Sequence, residues 1–205
     1  MDRHEHIVEI PELFSNRIYK RLIFRTEGLY IEKPFSFNEP QFIPAEEING
    51  FRLGIRWMRG LYFVLSRQFT VELKHQTNCK TRIRFSSFYT IRNQQYDEKW
   101  SAIVELLYHY YISSQLQLYI ELHQMGQAFT LSGLTFYSDG IVWEKNKKLA
   151  FRQVAISTYR SYFVIYNSNN PRQQISFNFL NNWNAYLIQS LLKHIVEENE
   201  RILSR

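Results

Sequence analysis

One passage of this chain is written twice. Leu22-Ile23-Phe24-Arg25-Thr26-Glu27-Gly28-Leu29-Tyr30-Ile31-Glu32-Lys33 returns as Leu134-Thr135-Phe136-Tyr137-Ser138-Asp139-Gly140-Ile141-Val142-Trp143-Glu144-Lys145. Each copy reads as an apolar-rich strand, a hydroxyl-acid-glycine turn, three bulky residues and then Glu-Lys. Two apolar runs around such a turn predict a β-hairpin. A repeat separated by more than a hundred residues predicts two units of like architecture rather than one continuous sheet.

Further strands follow each hairpin. Pro34 to Pro44 carries three prolines and predicts a loop or an edge strand. In Ile48 to Met58, Phe51, Leu53, Ile55 and Trp57 alternate with Arg52, Gly54 and Arg56, the period of a half-buried strand. Leu61 to Leu65, Phe69 to Leu73 and Thr81 to Phe85 read as three more strands, giving the first half about seven. Leu149 to Ile156, Ser161 to Tyr166 and Gln173 to Phe179 supply strands to the second. Residues 1 to 17 read as an arm or a short helix.

Each half closes on a helix. Asp97 and Glu98 stand where carboxylates favour a helix N-terminus, and Trp100, Ile103, Val104, Leu107 and Tyr111 recur at helical steps. Leu116, Leu118, Ile120 and Leu122 alternate like a strand. With no Gly or Pro before Gly126, the reading is continued helix, apolar on several sides and buried between the halves. The second helix is capped by Asn181 or Asn182 and carries Trp183, Leu187, Leu191 and Ile195 on one face. Trp100 and Trp183 occupy matching places. From glycine to tryptophan the first half runs from 28 to 100 and the second from 140 to 183, so the second is shortened.

The fold class expected is α+β. This order of elements, with the acid-glycine hairpin, resembles tandem bacterial pleckstrin-homology-like (PH-like) domain proteins over residues 18 to 203. The resemblance implies two antiparallel β-sheet or barrel halves, each closed by a C-terminal amphipathic helix, with Trp100 and Trp183 as core anchors. The divisions expected are an arm at 1–17, a first domain at 18–125 and a shortened second domain at 126–205. PH-like folds host lipid, peptide and protein binding more than catalysis, so fold alone does not choose among these.

Charge narrows the partners. The chain has 25 Lys and Arg against 19 Asp and Glu, a net +6. That permits an acidic protein, an anionic membrane face or a nucleic acid. Lys and Arg are spread along the whole chain, which argues against nucleic acid. Arg52 and Arg56 share a strand face, as do Arg82 and Arg84. If these strands lie in one sheet, four guanidiniums line one surface beside Arg59 and Arg67, suited to carboxylates and phosphates. The bland account is a solvated strand face with Glu72 pairing some of them. The resemblance adds a second candidate, since lipid-binding PH domains carry basic residues in the first hairpin; here these are Lys145, Lys147 and Lys148.

Catalytic signals are weak. His4-Glu5-His6 has ligand spacing but no further ligand nearby, so no metal is expected. Cys79 is the sole cysteine, with His75 the near histidine, and reads as an incidental thiol. His109, His123 and His194 read as helix-surface or boundary residues. No P-loop, G-x-S-x-G or G-x-G-x-x-G motif occurs, and no cofactor or small-molecule substrate is expected. No apolar run reaches the roughly 18 residues of a membrane span and the N-terminus lacks a signal-peptide pattern, so the expected location is cytoplasmic. The reading is a non-enzymatic module recognising a protein or peptide, for example a bacterial accessory or toxin-neutralising protein. The alternative is a peripheral protein binding anionic lipid through its basic loops.

Overall fold

The computed structural model describes residues 5–15, 17–34, 39–76, 79–144 and 147–203. Contacts divide the chain into two units, Met1–Ser113 and Ser114–Arg205. The class is α+β, with four antiparallel sheets, one long helix and a C-terminal helix.

The first unit opens with β1 (His6–Pro11), β2 (Tyr19–Arg25), β3 (Gly28–Glu32) and β4 (Gln41–Pro44), hydrogen-bonded in that order. The segment expected as an arm or short helix is thus a strand. Val8 and Ile10 are buried at alternate positions, and β1 pairs with β2 from His6 opposite Phe24 to Pro11 opposite Tyr19. The proline-rich stretch does end in an edge strand, β4. A short 3-10 turn (Ala45–Glu47) leads into the second sheet, β5 (Ile48–Arg59), β6 (Val64–His75) and β7 (Cys79–Phe88). Leu61 to Leu65 and Phe69 to Leu73 are therefore not two strands: one long β6 begins at Val64, and Leu61 to Phe63 form the hairpin tip before it.

The second unit repeats the plan. β8 (Phe129–Leu131), β9 (Leu134–Phe136), β10 (Gly140–Trp143) and β11 (Lys147–Ala150) form one sheet. A 3-10 turn at Phe151–Gln153 splits the run expected as a single strand from Leu149 to Ile156. Then come β12 (Val154–Thr158), β13 (Tyr162–Asn167) and β14 (Asn170–Asn178). Shortening has removed no strand. It lies partly in strand length, since β5 and β6 have 12 residues each whereas β12 and β13 have 5 and 6, and partly in shorter connections. Among the described residues no ladder joins the two sheets of either unit, so both stay open rather than closing as barrels.

The repeated glycines have a common cause. A Cβ on Gly28 would stand 2.3 Å from the Ile43 carbonyl oxygen, and one on Gly140 would stand 2.4 Å from that of Leu149. In both copies the backbone then turns back: Ala45 N–H donates to Glu27 O at 2.9 Å, and Phe151 N–H to Asp139 O at 3.2 Å. The glycine is kept for this close approach of a neighbouring strand.

The helices start differently from expectation. α1 (Asn93–Leu107) begins four residues before Asp97, and α3 (Ala185–Leu203) begins after Trp183. Each is preceded by a left-handed residue, Arg92 at φ 59 and Asn184 at φ 57. Asn182 Oδ1 accepts from Asn178 N–H at 2.8 Å instead of capping the helix. Trp100 therefore lies inside its helix and Trp183 ahead of the other, so they are not counterparts, and both are only half-buried. The buried anchors are Tyr96 and Ile188, whose amides donate to Arg92 O and Asn184 O. A π-helical segment at Tyr108–Ile112 continues α1 into α2 (Ser113–Gln124). Residues 116 to 122 are helix, as read. Its burial is less than expected, with Ile120 buried and Leu118 exposed.

Candidate functional site

Register decides where the side chains of β5–β7 point. Leu53, Val71 and Ile83 form one cross-strand row on the core face, each nearly inaccessible. The alternate positions take the outer face. One row there is Arg52, Glu72 and Arg82; the next is Gly54, Thr70 and Arg84; the next is Arg56, Gln68 and Ser86; the last before the tip is Met58, Ser66 and Phe88. Lys74 opposite Lys80 begins the series. Arg52, Arg56, Arg82 and Arg84 thus share one face of one sheet.

Part of that charge is internally matched. Glu72 is buried between two arginines, with Arg52 Nη1 at 3.5 Å from Oε2 and Arg82 Nε donating to Oε1. Among the described residues Arg56 and Arg84 engage no carboxylate. The Arg84 carbonyl accepts from Lys20 Nζ at 3.2 Å, and burial lowers the Lys20 pKa. Arg59 lies exposed at the hairpin. Arg67 does not join the surface. It lies on the core side, its guanidinium 5.2 Å from the Trp57 ring, donating to both Asp97 oxygens at 2.8 and 2.7 Å. Asp97 is therefore the partner of a β6 arginine and not a helix-start residue.

The lysine loop is divided. Lys145 lies outside the described residues. Lys147 Nζ meets Glu144 at 3.0 Å and Lys148 Nζ meets Asp139 at 2.7 Å, which lowers the Asp139 pKa. These lysines belong to the second unit, so the structure does not gather all seven basic residues into one site.

The other sequence candidates are occupied. His4 is outside the described residues; Glu5 binds Arg25 and His6 Nδ1 lies 2.7 Å from Tyr110 Oη. Cys79 is exposed and faces His75 in the ladder, but His75 Nε2 bonds Thr81 Oγ1 at 2.9 Å. No cluster of His, Cys, Asp and Glu among the described residues has metal-binding geometry.

The feature missed by sequence reasoning is the end of this sheet. The β5–β6 hairpin closes with Gly60 N–H donating to Phe63 O at 2.8 Å, and its tip holds Leu61 at 93% and Tyr62 at 96% exposure. Phe63 stacks on Tyr89 at 5.7 Å, and Phe88 meets Tyr89 edge-on at 4.9 Å. Beside them lies an open depression of about 560 Å³ lined by Trp57, Phe63, Val64, Arg67, Tyr89, Thr90 and Asn93. Asn93 Oδ1 is buried without a hydrogen-bond partner. The signal was present as four bulky residues in a row after Arg59-Gly60, which read as a strand.

No family model and no curated protein sequence matches the chain. Among solved structures, one described as the structure of the Spt16D Pob3N heterodimer is 10% identical, covering 89% of this chain and 98% of that one. Its TM-score is 0.27, and so loose a likeness carries no argument about fold or partner. No helix among the described residues is long and apolar enough to cross a membrane.

Proposed function

We propose that this chain is a non-enzymatic binding module of two PH-like units that recognises a protein or peptide through the first. The observation carrying this reading is the apolar end of the β5–β7 sheet. Large apolar side chains are gathered there in solvent, where a folded chain gains nothing by holding them. Beside them lies the open depression lined by Trp57, Phe63, Val64, Arg67, Tyr89, Thr90 and Asn93. Aromatic residues at the rim also fit an interface core better than a solvated surface. The lipid alternative has less support, because its two described lysines already meet Glu144 and Asp139.

The test is selection of peptides from a random displayed library on the purified protein, with a Tyr62→Ser/Phe63→Ser variant as counter-target. Recovered peptides should bind the wild type and lose about tenfold or more on the variant, a difference of about 1.4 kcal/mol. Failure to recover any peptide that distinguishes the two would reject the reading.

A further inference from the structure

The sheet that ends in this apolar tip also holds the chain's positive excess. Residues 48 to 92 contain nine Lys or Arg and one acid, Glu72, while the rest of the chain has sixteen Lys or Arg and eighteen acids. The cations are spread along the chain, as the sequence suggests, but the acids avoid this stretch. Acids are as scarce at the same place in the second unit, but so are cations: residues 154 to 178 contain Arg160 and Arg172 and no acid. The same sheet position is weakly basic there and strongly basic in the first unit.

We infer that the outer face of β5–β7 binds an extended acidic peptide segment ending in a bulky apolar residue. This rests on the peptide-binding reading and names the chemistry of the partner. Three features converge. Successive rows of this face stand about 6.7 Å apart, the repeat of alternate side chains in an extended peptide, so carboxylates at every second residue meet successive cationic rows. Glu72 is already matched by Arg52 and Arg82, which leaves Arg56 and Arg84 to face an incoming anion. The last row supplies an apolar seat. Met58 and Phe88 are 42% and 40% exposed on either side of Ser66, which is 3% exposed and forms the floor. From the Lys74 row to the Met58 row is about 27 Å, the reach of about nine extended residues.

Other polyanions fit less well. The cationic rows between Lys74 and Arg56 present no aromatic ring on which a nucleobase stacks. The apolar residues lie at one end of the face, whereas an anionic bilayer would meet the whole of it.

The probe is a fluorescein-labelled nine-residue peptide with glutamate at alternate positions and phenylalanine at one end. Anisotropy is read at an ionic strength of about 0.15 M, where loosely held surface charge is largely screened. The wild-type protein should bind it saturably. Arg56→Ser/Arg84→Ser should weaken binding about tenfold, and Met58→Ser/Phe88→Ser about fivefold, the latter only for the peptide that carries phenylalanine. Each variant is checked for an unchanged melting midpoint, and Arg152→Ser in the second unit serves as a charge control that should bind normally. A glutamine-for-glutamate peptide that binds equally well overturns the inference. So does equal or tighter binding of single-stranded DNA of matched charge, or of vesicles containing anionic lipid. If library selection returns tip-dependent peptides without acids, the peptide-binding reading stands and this inference falls.

Discussion

The two units build the same hairpin and finish it differently. In the second, Tyr159 N–H donates to Tyr162 O at 2.9 Å, the bond that Gly60 and Phe63 make in the first at 2.8 Å. There the tip rings Tyr159 and Tyr162 stack on one another at 4.7 Å, while Phe179 is buried between Phe163 and Tyr186. The first unit has Leu61 and Tyr62 in solvent and an open depression instead. Both tips are exposed, but to different degrees: Tyr159 and Tyr162, at 50% and 36%, shield one another by stacking, whereas Leu61 and Tyr62 stand at 93% and 96%. So full an exposure is not a requirement of the architecture, and these apolar residues call for a reason outside folding.

The largest expected effect tests whether the units are copies at all. Gly28→Ala and Gly140→Ala each drive a Cβ into a backbone carbonyl, where relief requires a strand to move. Each should destabilise its own unit by about 3 kcal/mol or more. Hydrogen exchange during urea unfolding should show lost protection in the first unit for one variant and in the second for the other. A loss under about 1 kcal/mol in either would mean the close approach is easily relieved and the copies differ at their shared hairpin.

Next comes an interaction with no counterpart among the described residues of the second unit. Arg67 donates from Nη1 to both Asp97 oxygens with a side chain only 12% exposed, so Arg67→Met should cost about 1–3 kcal/mol, toward the low end because Asp97 is 46% exposed. Arg67→Lys should recover only part of this, since lysine keeps the charge but loses the planar guanidinium that lies 5.2 Å from the Trp57 ring. Full recovery by lysine would show that charge alone matters.

The tips themselves should separate stability from binding. Tyr62→Ser removes a ring that touches little and should change stability by less than about 0.5 kcal/mol. Tyr159→Ser breaks a stacked pair and should cost about 1 kcal/mol. The reverse order would mean the first tip is the one supported by the fold.

What was legible followed from periodicity. The alternation of Phe51 to Trp57 with arginines placed β5 and its faces correctly, because side-chain period fixes which face a residue takes. The helical reading of residues 116 to 122 also held. The alternation there had no bearing on burial, since Leu118 is exposed. Misreadings came where hydrophobicity had another purpose. Leu61 to Phe63 look like strand because they are apolar, yet they are exposed at a turn, and an apolar run does not announce whether it is buried. Asp97 looks like a helix start because carboxylates favour that place, but its partner Arg67 is thirty residues away in sequence. The four-arginine face was legible only as a condition on strands sharing a sheet, and the register met it. Its pairing through Glu72 needed that register too. The depression was not legible, because it is made by segments from Trp57 to Asn93 that meet only after folding.

The smallest expected effect distinguishes the units by pH. His123 in the second unit has Nε2 buried without a hydrogen-bond partner, and its ring lies edge-on to Phe151 at 5.3 Å. Burial lowers its pKa below the ordinary 6.5; Glu198 opposes the shift and His194 adds to it. The folded unit therefore prefers the neutral imidazole, whereas the unfolded chain takes the proton near its usual value. Stability from this group is complete above about pH 6.5 and is lost as pH falls through the lower, folded value. Chemical denaturation between about pH 7.5 and pH 5 should show the second unit weakening. His123→Phe should abolish that slope without altering the first unit. His194→Ala should leave most of it, because burial is the larger cause. A slope that survives unchanged in His123→Phe would show that burial of this imidazole is not its cause.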